Sequence, residues 1–474
     1  MDSATFHAFS GLLKQLGLSQ NDSGGTTEVA GSDPVAPSPL RLGTASAAAL
    51  AAQGTAIAAI WRMRCGRGQD VSVEMRRAVV PGLRMLAPVR QNGYPPVVRD
   101  KGPTPAFLRS ADGRHLSLDR VHTKPFLRLL EILDCAPSSE AIVKAVSRWE
   151  ADQLEQVLAD QGITGSVVRS PQEWLAHPHG AWLARNPAID IEKLGDSSPQ
   201  PLGPAARPLS GVRVIDFTHR LAGPVASRML AEQGADVLHV SSINQDDVLS
   251  VIIDTGLGKR AAFTDLDDPR DCARVRQLAE QGDLLVTSFR PGALDRRGLS
   301  PMDLARARPG FIYLSVSCYG DGGPWAGRRG WDNNAQASAG IYATQGSLES
   351  PQIVPTGFLA DYLAAYLGAA GVLAALIRRA REGGSYHVKV SLTRTAMWVL
   401  ELGLLEDRAA AMALPMPQPR KSDLARMSDT PYGELEFAAP VTQYSETKAY
   451  WDKPAVPLGA NPMTWLPRQG FRVQ

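Results

Sequence analysis

Between residues 355 and 392 the chain reads PTGFLADYLAAYLGAAGVLAALIRRAREGGSYHVKVSL, and in it one carboxylate, Asp361, precedes sixteen residues without formal charge, 362–377. Ala and Leu dominate this run, so it favours helix; it is apolar on every face, so the helix must be enclosed by protein. Sixteen residues fall short of a membrane span, and a carboxylate at the mouth argues further against one. Gly383 and Gly384 end the helix, and 387–392 alternates as a strand does. Asp361 then has two readings. It can be an N-cap whose side chain accepts a backbone N–H. It can also be an ionised carboxylate held at the positive end of a buried helix and available as a nucleophile.

At 474 residues the chain is too long for one simple core, which implies two or more domains. Its 21% charged and 44% apolar residues are ordinary for a globular protein. A net charge of +2, with Lys and Arg scattered, gives no case for nucleic acid. Cys65, Cys135, Cys272 and Cys318 fit neither a zinc spacing nor a disulfide framework. No metal site and no membrane segment are expected. With no basic stretch leading into an apolar core at the N-terminus, the expected compartment is the reducing cytoplasm.

An internal repeat comes next. Residues 45–76 align without a gap to 362–393, an offset of 317 (362 − 45), with 12 identities in 32 pairs. They include Gly54/Gly371, Ile60/Ile377, Arg62/Arg379, Arg64/Arg381, Gly66/Gly383, Val71/Val388 and Val73/Val390. The shared R-x-R-x-G-x4-V-x-V tail makes both copies a buried helix, a glycine turn and a strand. Where the second copy has Asp361 the first has Thr44 (361 − 317), so only the second can supply a carboxylate.

The remaining texture divides the chain. Residues 1–40 form a helix over 6–18 and a mobile Gly- and Pro-rich arm; 41–85 carry the first copy; 86–196 are a small α+β unit. In that unit 113–119 reads as a strand, 170–176 (SPQEWLA) opens with a capping box, and His177 and His179 read as loop-end caps. Four prolines make 197–208 a linker. From 209 to 395 strands that are apolar almost throughout alternate with helices: 212–217, 235–240, 260–265, 283–289 and 311–317. This pattern is an α/β fold, a Rossmann-like, mainly parallel sheet with helices on both faces. Ligands of such sheets sit beyond the carboxyl ends of the strands. Here THRLAGP (218–224) occupies that place without a GxGxxG, a small-residue turn whose helix start can hold an anion or a thioester oxygen. Residues 396–474 read as a Pro-rich tail that packs along a surface.

PLSGVRVIDFTHRLAGP (208–224), GKR (258–260), SFRPGALDRRGLS (288–300), YGDGGPW (319–325) and Asp361 with its helix closely resemble the class III CoA-transferases, a group that includes formyl-CoA and carnitine CoA-transferases and, as relatives, the α-methylacyl-CoA racemases. Covering 209–395 strongly and 86–200 weakly, with the small domain first, the resemblance describes a family member permuted with an overlap. It implies that Asp361 is the nucleophile, ionised at neutral pH, and that CoA moves from an acyl-CoA to a carboxylic acid through an aspartyl anhydride and an aspartyl-CoA thioester. CoA is then a substrate, and no permanently bound cofactor is implied. The resemblance places CoA contacts at Leu221, Ala222, Lys259, Ser288, Phe289, Arg290, Arg296, Arg329 and Asp332. It also implies interlocked homodimers, for which the repeat offers an alternative, one chain closing on itself.

The chain departs from the family at three places. Ser241 and Ser242 follow the second strand, where an acidic residue is usual. Leu221 replaces the Gln near the reacting carbonyl, which argues against formyl-CoA and oxalate. Trp331 stands where the racemases carry their second acid–base group, a His, which leaves His219 on the first βα turn as the candidate partner. The alternatives to transfer are thus an acyl-CoA racemase or isomerase and a non-catalytic CoA-binding homologue.

Overall fold

The computed structural model describes residues 1–96, 106–118, 123–244 and 248–467. The chain opens with helix α1 (Ser3–Leu16), capped by the Asp2 carboxylate on the Thr5 N–H at 2.8 Å and ended by Gly17 at φ 69°. Residues 19–40, expected to be a mobile arm, are ordered. Strand β1 (Thr27–Ala30) runs parallel to the strand that follows the first repeat helix. The arm's backbone groups find partners there: the Thr26 N–H donates to the Asp70 carboxylate at 2.7 Å and the Gln69 N–H to Ser23 O at 3.2 Å. Helix α2 (Leu42–Cys65) is buried along nearly its whole length, and strand β2 (Val71–Glu74) leads directly into α3 (Met75–Val79).

The main sheet begins with a strand from the far end of the small domain, β3 (Asp190–Gly195), followed by β4 (Arg213–Phe217), helix α4 (Ala222–Glu232), β5 (Asp236–Ser241), β6 (Lys259–Phe263), β7 (Leu284–Thr287) and β8 (Ile312–Ser317). Helix α5 (Asp332–Ala339), the Asp361 helix α6 (Leu359–Glu382), β9 (Ser385–Ser391) and α7 (Leu392–Glu401) complete the unit. The strand order is β6-β5-β4-β7-β8-β9-β3, parallel except for β3, which pairs antiparallel with β9 through Ile191 and Val388. The 86–196 boundary is therefore corrected: its last strand belongs to the large sheet. Apolar side chains from both sheet faces are buried, against α4 and α6 on one side and against Pro269–Glu280 and Pro301–Ala307 on the other.

The repeat is a repeat in three dimensions. Gly54 in α2 lets Val71 of β2 close onto the helix, and Gly371 in α6 does the same for Val388 of β9. A Cβ on either glycine would lie 2.5 Å from the valine Cγ1. β9 has a parallel neighbour, β8, and an antiparallel one, β3; β2 likewise has β1 and, antiparallel, a strand from the tail, β10 (Gln443–Tyr444). The first copy is thus a three-stranded reduction of the second, and α2 packs side by side with α6. By length and composition both helices could cross a membrane, but each is enclosed within the protein.

The small domain has its own core around Leu116, Leu129, Leu154 and Val167 and a three-stranded sheet, Leu108–Arg109, His115–Leu118 and Gly165–Val167. Asp119, the last residue expected in that strand, lies outside the described residues. Ser170 and Glu173 form the capping box read from the sequence, and the His177 ring caps Pro178–Leu183 by accepting from the His179 N–H. The tail straps the sheet edge: the Asn461 N–H donates to Ala261 O at 2.7 Å, covering β6. Alanine at Gly54 or Gly371 meets a β-branched side chain that cannot swing aside. Each single variant is expected to lose ~1–3 kcal/mol of stability, read as a fall in Tm, because the core is overpacked at the same contact in both copies.

Candidate active site

At the mouth of α6 Asp361 is not the N-cap. The N-cap position is Phe358, whose side chain makes no capping bond, and Asp361 is the third helical residue. Asp332 caps the helix instead: its Oδ1 accepts the Asp361 N–H at 3.0 Å, and its carboxylate also receives the Ala360 N–H. The Asp361 side chain is thereby released from capping. The Ala222 N–H, from the first residue of α4, faces it and favours its charged form, so two helix N-termini converge on one carboxylate. The first repeat copy keeps the cap without the second carboxylate. Asp33 accepts the Gly43 and Thr44 N–H groups at 2.9 and 2.8 Å, and Thr44 carries no charge.

The two carboxylates perturb one another. Burial pushes the Asp332 carboxyl up to about 7, against hydrogen bonds from the α6 backbone and the Gln336 amide that favour its charged form. Burial, then the Asp332 charge, raises Asp361 well above the usual carboxylate range, with only the Ala222 N–H pulling it back. This corrects the expectation of a simply ionised Asp361 at neutral pH. Two buried carboxyl groups this close do not both ionise readily, so the pair keeps one proton to higher pH than a lone carboxyl would. Cys318 and Tyr342 also face the pair; burial keeps both protonated.

The other expected contacts fall into two groups. At the carboxyl ends of β4 and β7, where the chain switches sides of the sheet, Thr218, His219, Ser241, Ser242, Thr264 and Phe289 line a cavity of about 320 Å³. Ser288 Oγ accepts the His219 N–H at 3.1 Å, and the His219 ring stands edge-on to Trp331 at 5.7 Å. Arg290 and Arg329 lie close enough for the Arg290 charge, after desolvation, to lower the Arg329 pKa. Neighbouring guanidiniums of this kind suit a diphosphate. Arg296 is exposed in a depression with Arg276 and Arg297. Leu221 is buried at the start of α4.

Two assignments change. Asp332 is buried and committed to capping α6, which leaves its side chain no part in holding CoA. Lys259 is 3% exposed, and its ammonium donates to Asp216 Oδ2, Pro224 O and Ser227 Oγ, each at 2.8 Å. An ammonium has three donors, so none is left for a phosphate. The signal for this pair was in VRVIDF: a carboxylate inside a strand covered on both faces demands a buried cation. A second cavity, of about 250 Å³, went unread; it opens beside Phe289 and Arg290 over Ser315, His387 and Lys389.

The fold is thus an α/β domain with a mainly parallel sheet and a pair of buried carboxyl groups at the mouth of its central helix. Residues 209–433 match the model of CoA-transferase family III. It is 34% identical over 278 residues to an acyl-CoA transferase of Gibberella moniliformis (55% of this chain, 48% of that one). It is 33% identical over 279 residues to the acetyl-coenzyme A transferase nodX of Hypoxylon pulicicidum (55% and 47%). Among solved structures, that of Rv3272 from Mycobacterium tuberculosis is similar at 32% identity, covering 41% of this chain and 57% of that one, with a TM-score of 0.39. The chain spans about half the length of the two curated relatives.

Asp332→Asn keeps an oxygen for the cap but removes the like charge. The nucleophile should then ionise more readily, and the acid limb of kcat/KM should move to lower pH. Because the folded Asp332 carboxyl titrates near 7 and an unfolded one near ~3.9, the native state binds the extra proton; stability should fall as pH rises through that window. Thermal melts of Asp332→Asn should be flatter across it. Arg290→Ala or Arg329→Ala should raise the KM for an acyl-CoA by ~10-fold with kcat nearly unchanged, because a phosphate contact is uniform between ground and transition states.

Proposed function

We propose that the chain is a CoA-transferase that moves CoA from an acyl-CoA to a carboxylic acid through covalent intermediates on Asp361. The observation that carries this reading is the Asp361 carboxylate, freed from capping by Asp332 and aimed at by the α4 N-terminus, within the stretch that matches the family III model. The carboxylate attacks the thioester carbon, the C–S bond breaks, and CoA leaves as the thiolate. The thiolate attacks the aspartyl carbon of the anhydride, releasing the donor acid and leaving an aspartyl-CoA thioester. The acceptor carboxylate repeats the sequence in reverse, so no net proton is gained or lost. A site walled by buried helices keeps water from the two hydrolysable intermediates.

Racemisation is less well supported, because it needs two acid–base groups and Trp331 occupies the second position. The four free, separated cysteines fit a reducing compartment, the cytoplasm. The packing of α2 on α6 within one chain supports self-closure over an interlocked dimer. Light scattering should then give a mass near 50.8 kDa. A mass twice that, stable to dilution, would restore the dimer.

Incubation with a panel of acyl-CoAs and hydroxylamine should leave a hydroxamate on Asp361, found by mass spectrometry. Asp361→Ala should lower turnover by about 10³-fold or more. Its melting temperature should stay near that of the parent, since the Asp361 side chain does not cap α6 and its loss relieves the repulsion with Asp332. Thr44→Ala should keep full turnover. Absence of the hydroxamate with every donor would refute the covalent mechanism.

A further inference from the structure

Lys259 is buried and fully bonded, yet its partners all serve one small region. Pro224 O and Ser227 Oγ belong to the first turns of α4, and Asp216 belongs to β4, directly before the turn that enters that helix. Ser227 Oγ donates to Asp216 Oδ2 at 2.6 Å, Thr218 Oγ1 donates to Asp216 Oδ1, and the His239 ring lies 3.4 Å from the same carboxylate. On the other side of the turn Gly223 packs so tightly on Thr218 that a Cβ would come within 2.5 Å of its Cγ2. The Asp216–Lys259 pair therefore holds the start of α4 from two sides. The residue at that start is Ala222; α4 packs along α6, and the Ala222 N–H faces the Asp361 carboxylate.

We infer that Lys259 is a positioning residue for the nucleophile: through Asp216, Pro224 and Ser227 it fixes the first turn of α4 so that the Ala222 N–H meets Asp361. This rests on the proposed transferase reading. It replaces a phosphate-binding role for Lys259 with one on reactivity, and the two differ in what they change. A phosphate ligand acts on KM; a group that aims a hydrogen-bond donor at the nucleophile acts on kcat and on the ionisation of that nucleophile. The charged and titratable groups facing Asp361 are Asp332 from α5, the Cys318 thiol beyond β8, Tyr342 and the Ala222 N–H. Of these only the Ala222 N–H favours the carboxylate, so misplacing it must make Asp361 harder to ionise.

The test uses the full chain and an acyl-CoA that the parent protein turns over. Lys259→Met should lower kcat by ~10- to 100-fold, leave the KM for acyl-CoA within about twofold, and move the acid limb of kcat/KM to higher pH. Lys259→Met leaves Asp216 buried without its cation and loses stability for that reason alone, so Asp216→Asn/Lys259→Met is measured beside it; removing both charges spares the fold that penalty. The double variant should recover the melting temperature of the parent while keeping the low kcat and the displaced limb. A double variant that regains both stability and the parent pH profile overturns the inference, as does a raised KM with kcat unchanged. If the parent protein turns over no acyl-CoA, the transferase reading fails instead, and the parent assay shows which has failed.

Discussion

The apolar stretch 362–377 of α6 has no polar face and cannot meet solvent on any side, and the architecture follows from that requirement. The sheet closes one side through β8 and β9, α4 another, and α2 a third. The walls must approach closely, which explains the small residues: glycine at 371 takes in a valine of the following strand, and the same contact recurs in α2. Once the body of the helix is sealed, its first turn is the part that can meet a ligand. The chemistry sits there because the packing leaves nowhere else for it.

The Asp361 carboxyl sits in an arrangement of partly unfavourable terms. Asp332 spends its hydrogen-bonding capacity on the α6 backbone, so Asp361 need not cap. The same proximity puts two carboxylates in one dry space and raises both. Beneath α4 the compensation is complete: burial alone would raise Asp216, but the Lys259 ammonium and the His239 ring hold it well below the usual carboxylate range. One buried pair is thus stable and inert, the other strained and reactive, within the same domain.

Much of this was legible in the sequence. The parallel strands were apolar on both faces and announced themselves, and the repeat was visible because the glycines and valines that make the helix–strand contact are the residues that cannot vary freely. Asp361 was legible as a carboxylate at a helix mouth. Its partner Asp332 was not, because 29 residues of turn and helix separate them and nothing local marks which acid will fold back onto the α6 backbone. Lys259 was misread because a lysine looks the same in sequence whether it ends in solvent or beneath a helix. β3 was assigned to the small domain since DIEKLG carries the charges of an edge strand and lies next to a linker. The polar arm at 19–40 looked mobile because its order depends on Asp70, a residue far along the chain.

The strand β3 constrains how the protein can open. It leaves the small domain and is zipped to β9 through residues 190–195, directly before the 197–208 connection. On the same side His179 is clasped by Tyr319 O and by the Trp325 N–H. A small domain moored this way cannot rotate as a rigid lid without unzipping the edge of the main sheet. The strands at 115–118 and 165–167 are fastened as well, Ser166 to the Tyr319 hydroxyl at 3.0 Å and Ser117 to the Asn333 amide at 3.0 Å, so the small domain is bound along a whole margin, as a page is bound and not as a door is hung.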